Sequence, residues 1–307
     1  MFLCTPNKLS TYCKMAHKAG FVNIIGNPNV GKSTLMNVLV GERLSIITSK
    51  AQTTRHRIMG IVNGEEYQIV YSDTPGVLEP HYKMQESMMS LVYTAIVDAD
   101  VLLFATDIFE DTLIDEKVLN NIKNSKVPVL LLLNKVDLTT QEKLEVKVEY
   151  WKNLIPNAEV IPISALEKFN TDYLVNRIIA LLPESPPYYS KDELTDKPEK
   201  FFVSEIIREK ILINYKKEIP YSVEVVIESF KEEEKIFKIR AEIYVIRESQ
   251  KGIIIGHEGK ALKKVGTEAR KEIEAFLQKQ VFLELFVKVN KDWRDNEGQL
   301  KRFGYIN

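Results

Sequence analysis

A doubly wound α/β domain followed by a smaller α+β domain is predicted by three features of this 307-residue chain. Short, continuously apolar runs alternate with helix-like segments up to residue 182, as in parallel strands covered by helices on both faces. A glycine-rich loop stands between the first run and the first helix, where such a sheet binds ligands. A proline-rich stretch then opens a second half with a different element order.

The apolar runs are residues 21–25, 67–71, 101–105, 127–133 and 160–163. Between them, residues 32–40, 114–123, 141–154 and 171–182 have helical spacing. Pro183, Pro186, Pro187 and Pro198 bracket a polar stretch; proline at this density stops a helix and stiffens a connection. The chain therefore divides into an extension at 1–14, a first domain at 15–182, a linker at 183–200 and a second domain at 201–307. The second domain reads as a helix near 202–215, strands near 222–230 and 236–246, two helices around Gly256 to Gly259, and a strand at 281–289.

Composition narrows the class. Hydrophobic residues make up 45% and charged residues 28%, which are globular values. No apolar run approaches the roughly 20 residues that span a bilayer. Cys4 and Cys13 both fall in the extension, so the rest of the chain offers neither a disulfide framework nor a cysteine zinc site. The extension itself is expected to be a disordered tail or an over-long start. Net charge is −1 overall, but +3 for residues 201–307. Residues 250–271 hold six basic and two acidic side chains, a basic spot hidden by the balanced total.

Gly26-Asn27-Pro28-Asn29-Val30-Gly31-Lys32-Ser33 fits G-x-x-x-x-G-K-[ST] between a strand and a helix, with Thr34 next. Its glycines let backbone N–H groups curl round phosphate oxygens at the positive end of the helix. Lys32 is expected on the β- and γ-phosphates, and the Ser33 hydroxyl on Mg²⁺. Asp73-Thr74-Pro75-Gly76 follows the run at 67–71; Asp73 is placed to hold Mg²⁺ and Gly76 to offer its N–H to the γ-phosphate. Asn134-Lys135-Val136-Asp137 ends the most apolar run. A carboxylate at Asp137 accepts both N1–H and the exocyclic amine of guanine, and adenine leaves it unpaired. Ser164-Ala165-Leu166 offers backbone N–H groups to guanine O6. The nucleotides expected are thus GTP and GDP.

Between the first helix and the run at 67–71 lies Gln52-Thr53-Thr54-Arg55-His56-Arg57. One of its threonines should close on Mg²⁺ only when the γ-phosphate is present. Val77 stands where Ras-like GTPases place the glutamine that orients the attacking water. No side-chain general base is therefore identified, and slow unaided hydrolysis is expected.

In the second half, Gly256-His257-Glu258-Gly259 precedes a helix carrying Lys260, Lys263, Lys264 and Arg270. This pattern resembles the GxxG loop of a KH domain, in which a tight turn and a helix N-terminus clamp about four nucleotides. Trp293 and the tail Lys301-Arg302-Phe303-Gly304-Tyr305 could stack on bases, but packing or disorder is the expected account.

Taken together, GNPNVGKS, KAQTTRHRIMGI, DTPG, NKVD, SAL and a type II KH-like half resemble the Era family of GTPases over about residues 15–307. The run from Lys50 to Arg57 is the most specific piece, because generic GTPases share the other motifs. The resemblance implies a P-loop GTPase switch that binds the 3′ end of small-subunit ribosomal RNA and helps assemble that subunit. A cytoplasmic protein is implied, with no DNA partner. Related GTPases carry threonine before arginine here, which favours Thr54 over Thr53 for Mg²⁺. An asparagine at the position of Asn29 helps hold K⁺ in related GTPases, so K⁺ joins the expected cofactors. One departure stands out: the family often has a basic residue inside GxxG, where this chain has His257 and Glu258.

Two other readings compete. A tRNA-modification GTPase shares the Val77-type substitution and the asparagine, but surrounds its GTPase with a helical domain. A KH domain acting only as a docking module for protein or membrane is the other. The basic segment leaves room for peripheral membrane contact at the inner face of the cell membrane, though without the apolar stripe of an interfacial helix.

Overall fold

The computed structural model describes residues 17–306, so the expected extension at 1–14 lies outside the described residues. The first domain runs β1 (Lys18–Ile25), α1 (Lys32–Val40), β2 (Ile58–Asn63), β3 (Tyr67–Asp73), α2 (Lys83–Val97), β4 (Val101–Asp107), α3 (Glu116–Lys123), β5 (Val129–Asn134), α4 (Gln141–Leu154), β6 (Ala158–Pro162) and α5 (Thr171–Leu181). Its six strands lie in the order β2-β3-β1-β4-β5-β6. All pairings are parallel except β2 with β3. Every residue of β4 and β5 is buried, as continuous apolar runs require in a sheet covered on both faces.

Two layers of core result. Phe104, Leu131, Trp151, Met84 and Met88 fill one face; Leu35, Met36, Leu103, Leu174 and Ile178 fill the other. The register sets Ile24 beside Asp73 and Asp107 beside Asn134. The carboxyl ends of four strands thereby line one edge, where the motifs fall.

β2 and α2 were not among the expected elements. Gly60 interrupts the apolar pattern of β2 because α1 packs on it: a Cβ there would lie 2.6 Å from Val40 Cγ2. In α2 the Leu-Val-Tyr-Thr-Ala-Ile-Val ending is apolar and β-branched, which blurs the helical period. The proline-rich segment connects the domains while bonded along the sheet edge, with Ile61 N–H donating to Leu194 O at 2.8 Å and Thr195 bridging to Gly60.

The second domain comprises α6 (Glu199–Asn214), α7 (Ile219–Ser222), β7 (Glu224–Glu232), β8 (Ile236–Val245), α8 (Glu248–Ile255), α9 (Lys260–Leu277), β9 (Gln280–Val289) and α10 (Glu297–Arg302). β8 pairs antiparallel with β7 and parallel with β9. Val265, Ala269 and Ile273 form the buried stripe of α9 and meet Ile207, Ile211, Ile239 and Ile243 in one core. Each fully buried isoleucine there contributes about 1.5–3 kcal/mol.

After β9 the chain folds back onto the first domain. Trp293, Leu300, Phe303 and Tyr305 are buried in the same core as Val77, Met84 and Met88. Packing, not base stacking, is therefore the state of these aromatics. No helix among the described residues is long and apolar enough to cross a membrane.

Candidate functional site

A cavity of 530 Å³ opens at the carboxyl edge of the large sheet, lined by residues of all five motifs of the first domain. Gly31 sits at its floor with φ +97° as the residue before α1. A Cβ there would lie 2.3 Å from Asn134 Nδ2, so glycine lets the phosphate loop close on the end of β5. Asn134 braces that contact, donating to Val30 O at 2.8 Å and accepting from Ala165 N–H at 2.9 Å. Asn27 is turned away, bonded to Thr112 O and Ile114 N–H, and Thr74 donates to Ile24 O. Gly26, Val30, Thr74 and Pro75 shape the loops without lining the cavity.

Lys32 is buried and its ammonium donates to Gly26 O at 3.0 Å and Asn27 O at 2.7 Å. Burial lowers its pKa to about 8, against the pull of Asp73 and Glu110. Two loop carbonyls are modest partners for a desolvated ammonium; phosphate oxygens are stronger ones.

Ser33, Thr54 and Asp73 meet beside it. Ser33 donates to Asp73 Oδ2 at 2.7 Å, and Thr54 Oγ1 lies 2.9 Å from Ser33 Oγ and 3.3 Å from the same carboxylate oxygen. The other oxygen, Oδ1, is buried without a hydrogen-bond partner. Burial raises the Asp73 pKa despite Lys32 and the hydroxyls of Ser33, Ser45 and Thr54. One orphaned carboxylate oxygen beside two hydroxyls is a set of hard oxygen donors, which fits Mg²⁺ held together with phosphate oxygens and water. Thr53 points elsewhere, its hydroxyl 2.6 Å from both Thr48 Oγ1 and Lys50 O.

Val77 is fully buried in the core under α2, so its side chain has no access to the cavity. Asn29 is exposed on the cavity wall with φ +65°. At the far end Asp137 is open to solvent and lines the cavity; only a bound base would desolvate it. Lys135 spans the wall, with Nζ on Asn29 O at 2.8 Å and Asp107 at 2.6 Å. Of the three N–H groups expected for guanine O6, Ser164 donates to Phe169 O and Ala165 to Asn134. Leu166 lines the cavity next to them. Sequence reasoning missed Ile46, Ile47, Gln52, Phe109 and Leu138, which also line it. Phe109, Leu138 and Leu166 are exposed apolar side chains around the base end, a signal visible only after folding.

The second candidate surface lies on α9. Gly256 ends α8 at φ +70°, where a Cβ would come 2.6 Å from Ala261 Cβ. His257 and Glu258 are exposed at the loop tip, and Glu258 pairs with Lys260 at 2.8 Å. Below the loop a 370 Å³ groove is lined by Gly259, Lys263 and Arg270, with Leu262, Gly266, Thr267, Leu283 and Leu285. Lys264 stands outside it, 3.8 Å from Glu268. The residues missed on α9, Leu262, Gly266 and Thr267, fall at i+3, i+7 and i+8 from Gly259, a helical stripe that marks the groove face.

Residues 21–135 match the family of 50S ribosome-binding GTPases, and residues 218–294 match the KH domain family. GTPase Era of Staphylococcus haemolyticus is 44% identical over 292 residues, covering 94% of this chain and 98% of the relative. GTPase Era of Staphylococcus epidermidis is 43% identical over the same shares. Among solved structures, a variant of Aquifex aeolicus Era bound to GDP·AlF₄⁻ superposes with a TM-score of 0.90 at 39% identity, over 94% of this chain and all of that one. Era in complex with MgGDPNP and nucleotides 1506–1542 of 16S ribosomal RNA gives 0.91 at 39% identity, over 95% of this chain and all of that one.

Proposed function

The chain belongs to the Era family of GTPases, and we propose that it acts as a GTP-hydrolysing switch on small-subunit ribosomal RNA. It hydrolyses GTP to GDP and phosphate, binds the 3′ end of that RNA and assists maturation of the small ribosomal subunit. The observation that carries this reading is the convergence of Ser33, Thr54 and Asp73 at one end of a cavity whose other end presents Asp137.

Lys32 leaves its loop carbonyls for the β- and γ-phosphates, and Asp137 selects guanine by accepting its two donors. Ser33, Thr54 and Asp73 would hold Mg²⁺, which would supply positive charge to offset that of the phosphates. Gly76 offers its N–H to the γ-phosphate, and Thr54 closes on Mg²⁺ only when that phosphate is present. With Val77 in the core, the attacking water is left to backbone groups, so unaided turnover is slow. Asn29 supports K⁺ beside the phosphates from its place on the cavity wall; equal turnover in NaCl and KCl would remove that role.

On the second domain, Gly256 to Gly259 clamp the RNA backbone, and Lys260, Lys263, Lys264 and Arg270 supply positive charge along its path. A cytoplasmic location follows from this substrate and partner, and peripheral contact with the inner face of the membrane stays within the reading through the basic segment.

Titration into labelled 3′-terminal small-subunit RNA, with the protein loaded with a GTP analogue or GDP, tests the reading. With about four single-strand phosphates neutralised, log affinity falls with log salt at a slope near −3. Tighter binding with the analogue supports a nucleotide-gated switch. Weak binding indifferent to nucleotide and RNA sequence would overturn it.

A further inference from the structure

Thr54 is held from outside its own domain. The residue before it, Thr53, presents its carbonyl to the Arg208 guanidinium of α6 at 2.5 Å. The residue after it, Arg55, is fully buried and donates to Val223 O at 2.6 Å, Pro220 O at 2.9 Å and Glu224 Oε2 at 3.1 Å. All four partners belong to the second domain. Arg208 is itself buried and fixed by Glu205, one turn earlier, through bonds of 2.7 and 2.5 Å. Tyr305 completes the seat by donating to Glu224 at 2.6 Å and stacking on His56 at 4.5 Å between ring centres.

This arrangement bears on nucleotide discrimination. A loop that orders only with the γ-phosphate must meet an ordering cost of about 1–2 kcal/mol per residue fixed. Contacts that hold the loop in its closed form before the nucleotide arrives reduce that cost for GTP and leave GDP, which does not use Thr54, unaffected. Arg208 does not itself line the cavity and bonds only to Glu205 and the Thr53 carbonyl, so its effect travels through the Thr53 backbone.

We propose that Arg208 is a positioning residue for GTP recognition: by holding the Thr53 carbonyl it keeps Thr54 at the Mg²⁺ site. Part of the preference for GTP over GDP is then carried by the second domain. The inference rests on the reading of Thr54 as a Mg²⁺ ligand.

The test measures dissociation constants of fluorescent GDP and a fluorescent non-hydrolysable GTP analogue for the full chain in Mg²⁺. Arg208→Met is made together with Glu205→Gln, because removing the arginine alone strands a buried carboxylate. The expected result is a loss of about tenfold for the analogue, the worth of one charge-assisted hydrogen bond, with GDP affinity within about twofold. Thr54→Ala weakens the analogue as well, and adding Arg208→Met/Glu205→Gln to the Thr54→Ala chain brings no further loss. Equal weakening of both nucleotides, additive losses, or no change beside an effective Thr54→Ala overturns the positioning role and leaves the Thr54 reading standing. No change with Thr54→Ala overturns that reading and the inference with it. If Arg208→Met/Glu205→Gln does not fold, Arg208→Lys carries the test: it retains a donor and should show a smaller loss confined to the analogue. Equal losses for both nucleotides there overturn the proposal.

Discussion

The phosphate loop of the first domain and the GxxG loop of the second use one device at opposite depths. Both bring glycines of positive φ to the start of a helix, Gly31 before α1 and Gly259 before α9, and both follow the helix start with lysine. Lys32 is 6% exposed, whereas the Lys260 side chain is 73% exposed. Desolvation makes each contact in the first loop worth more and makes each unmet polar group costly; Asp73 Oδ1 has no hydrogen-bond partner there, and the Lys32 ammonium has two loop carbonyls. In the second loop water screens every charge, and Glu258 already neutralises Lys260. The buried loop is built for selection of one ligand. On the proposed reading, the exposed one gains affinity by summing weak phosphate contacts along a strand.

If burial is what separates them, substitutions at the first loop should cost far more. Lys32→Ala should lower GDP and GTP affinity by about 10²–10³-fold, since charge-assisted bonds vanish from a desolvated site; a fluorescent-GDP titration that still gives tight binding would break the comparison. Asp137→Asn should shift preference from guanine to xanthine nucleotides by about 10²-fold, read by competition between GDP and xanthosine diphosphate. A variant that still chose GDP would discard the base-reading role of Asp137.

At the exposed loop the effects shrink. Replacing His257 and Glu258 together with aspartate should weaken RNA binding about tenfold at low salt and less at high salt, while hydrolysis without RNA is spared. Loss of both activities would mean that the two loops are not independent. Smallest of all, Glu258→Gln frees Lys260 for phosphate and should tighten RNA two- to threefold, about the worth of one exposed ion pair. An unchanged affinity would show that Lys260 does not meet the RNA backbone.

Much of this was legible before any coordinates. The runs at 101–105 and 127–133 became β4 and β5 because strands buried on both faces carry no polar alternation to confuse them. The helices at 32–40 and 141–154 matched to the residue, one ending at Gly41 in the left-handed region that glycine favours. The places of the phosphate loop, Asp73 and Gly256 to Gly259 were readable for a related reason: each is a turn or strand end whose residue types are dictated by its own backbone. β2 escaped because Gly60 answers to α1 and not to its own strand.

The chain's order of residues thus determines two domains, a guanine-nucleotide cavity and a basic GxxG loop, since periodicity, glycine conformation and carboxylate chemistry act over a few residues. Tertiary structure alone decided that Thr54 lies against Ser33 and Asp73 while Thr53 does not. It decided that Val77 faces the core and that Trp293 and Tyr305 pack on the first domain. It also decided that Arg208 grips the loop from 155 residues away along the chain. Those outcomes depend on which buried partners meet, and a desolvated arginine or hydroxyl finds its partner by proximity in the folded chain, which no local pattern encodes.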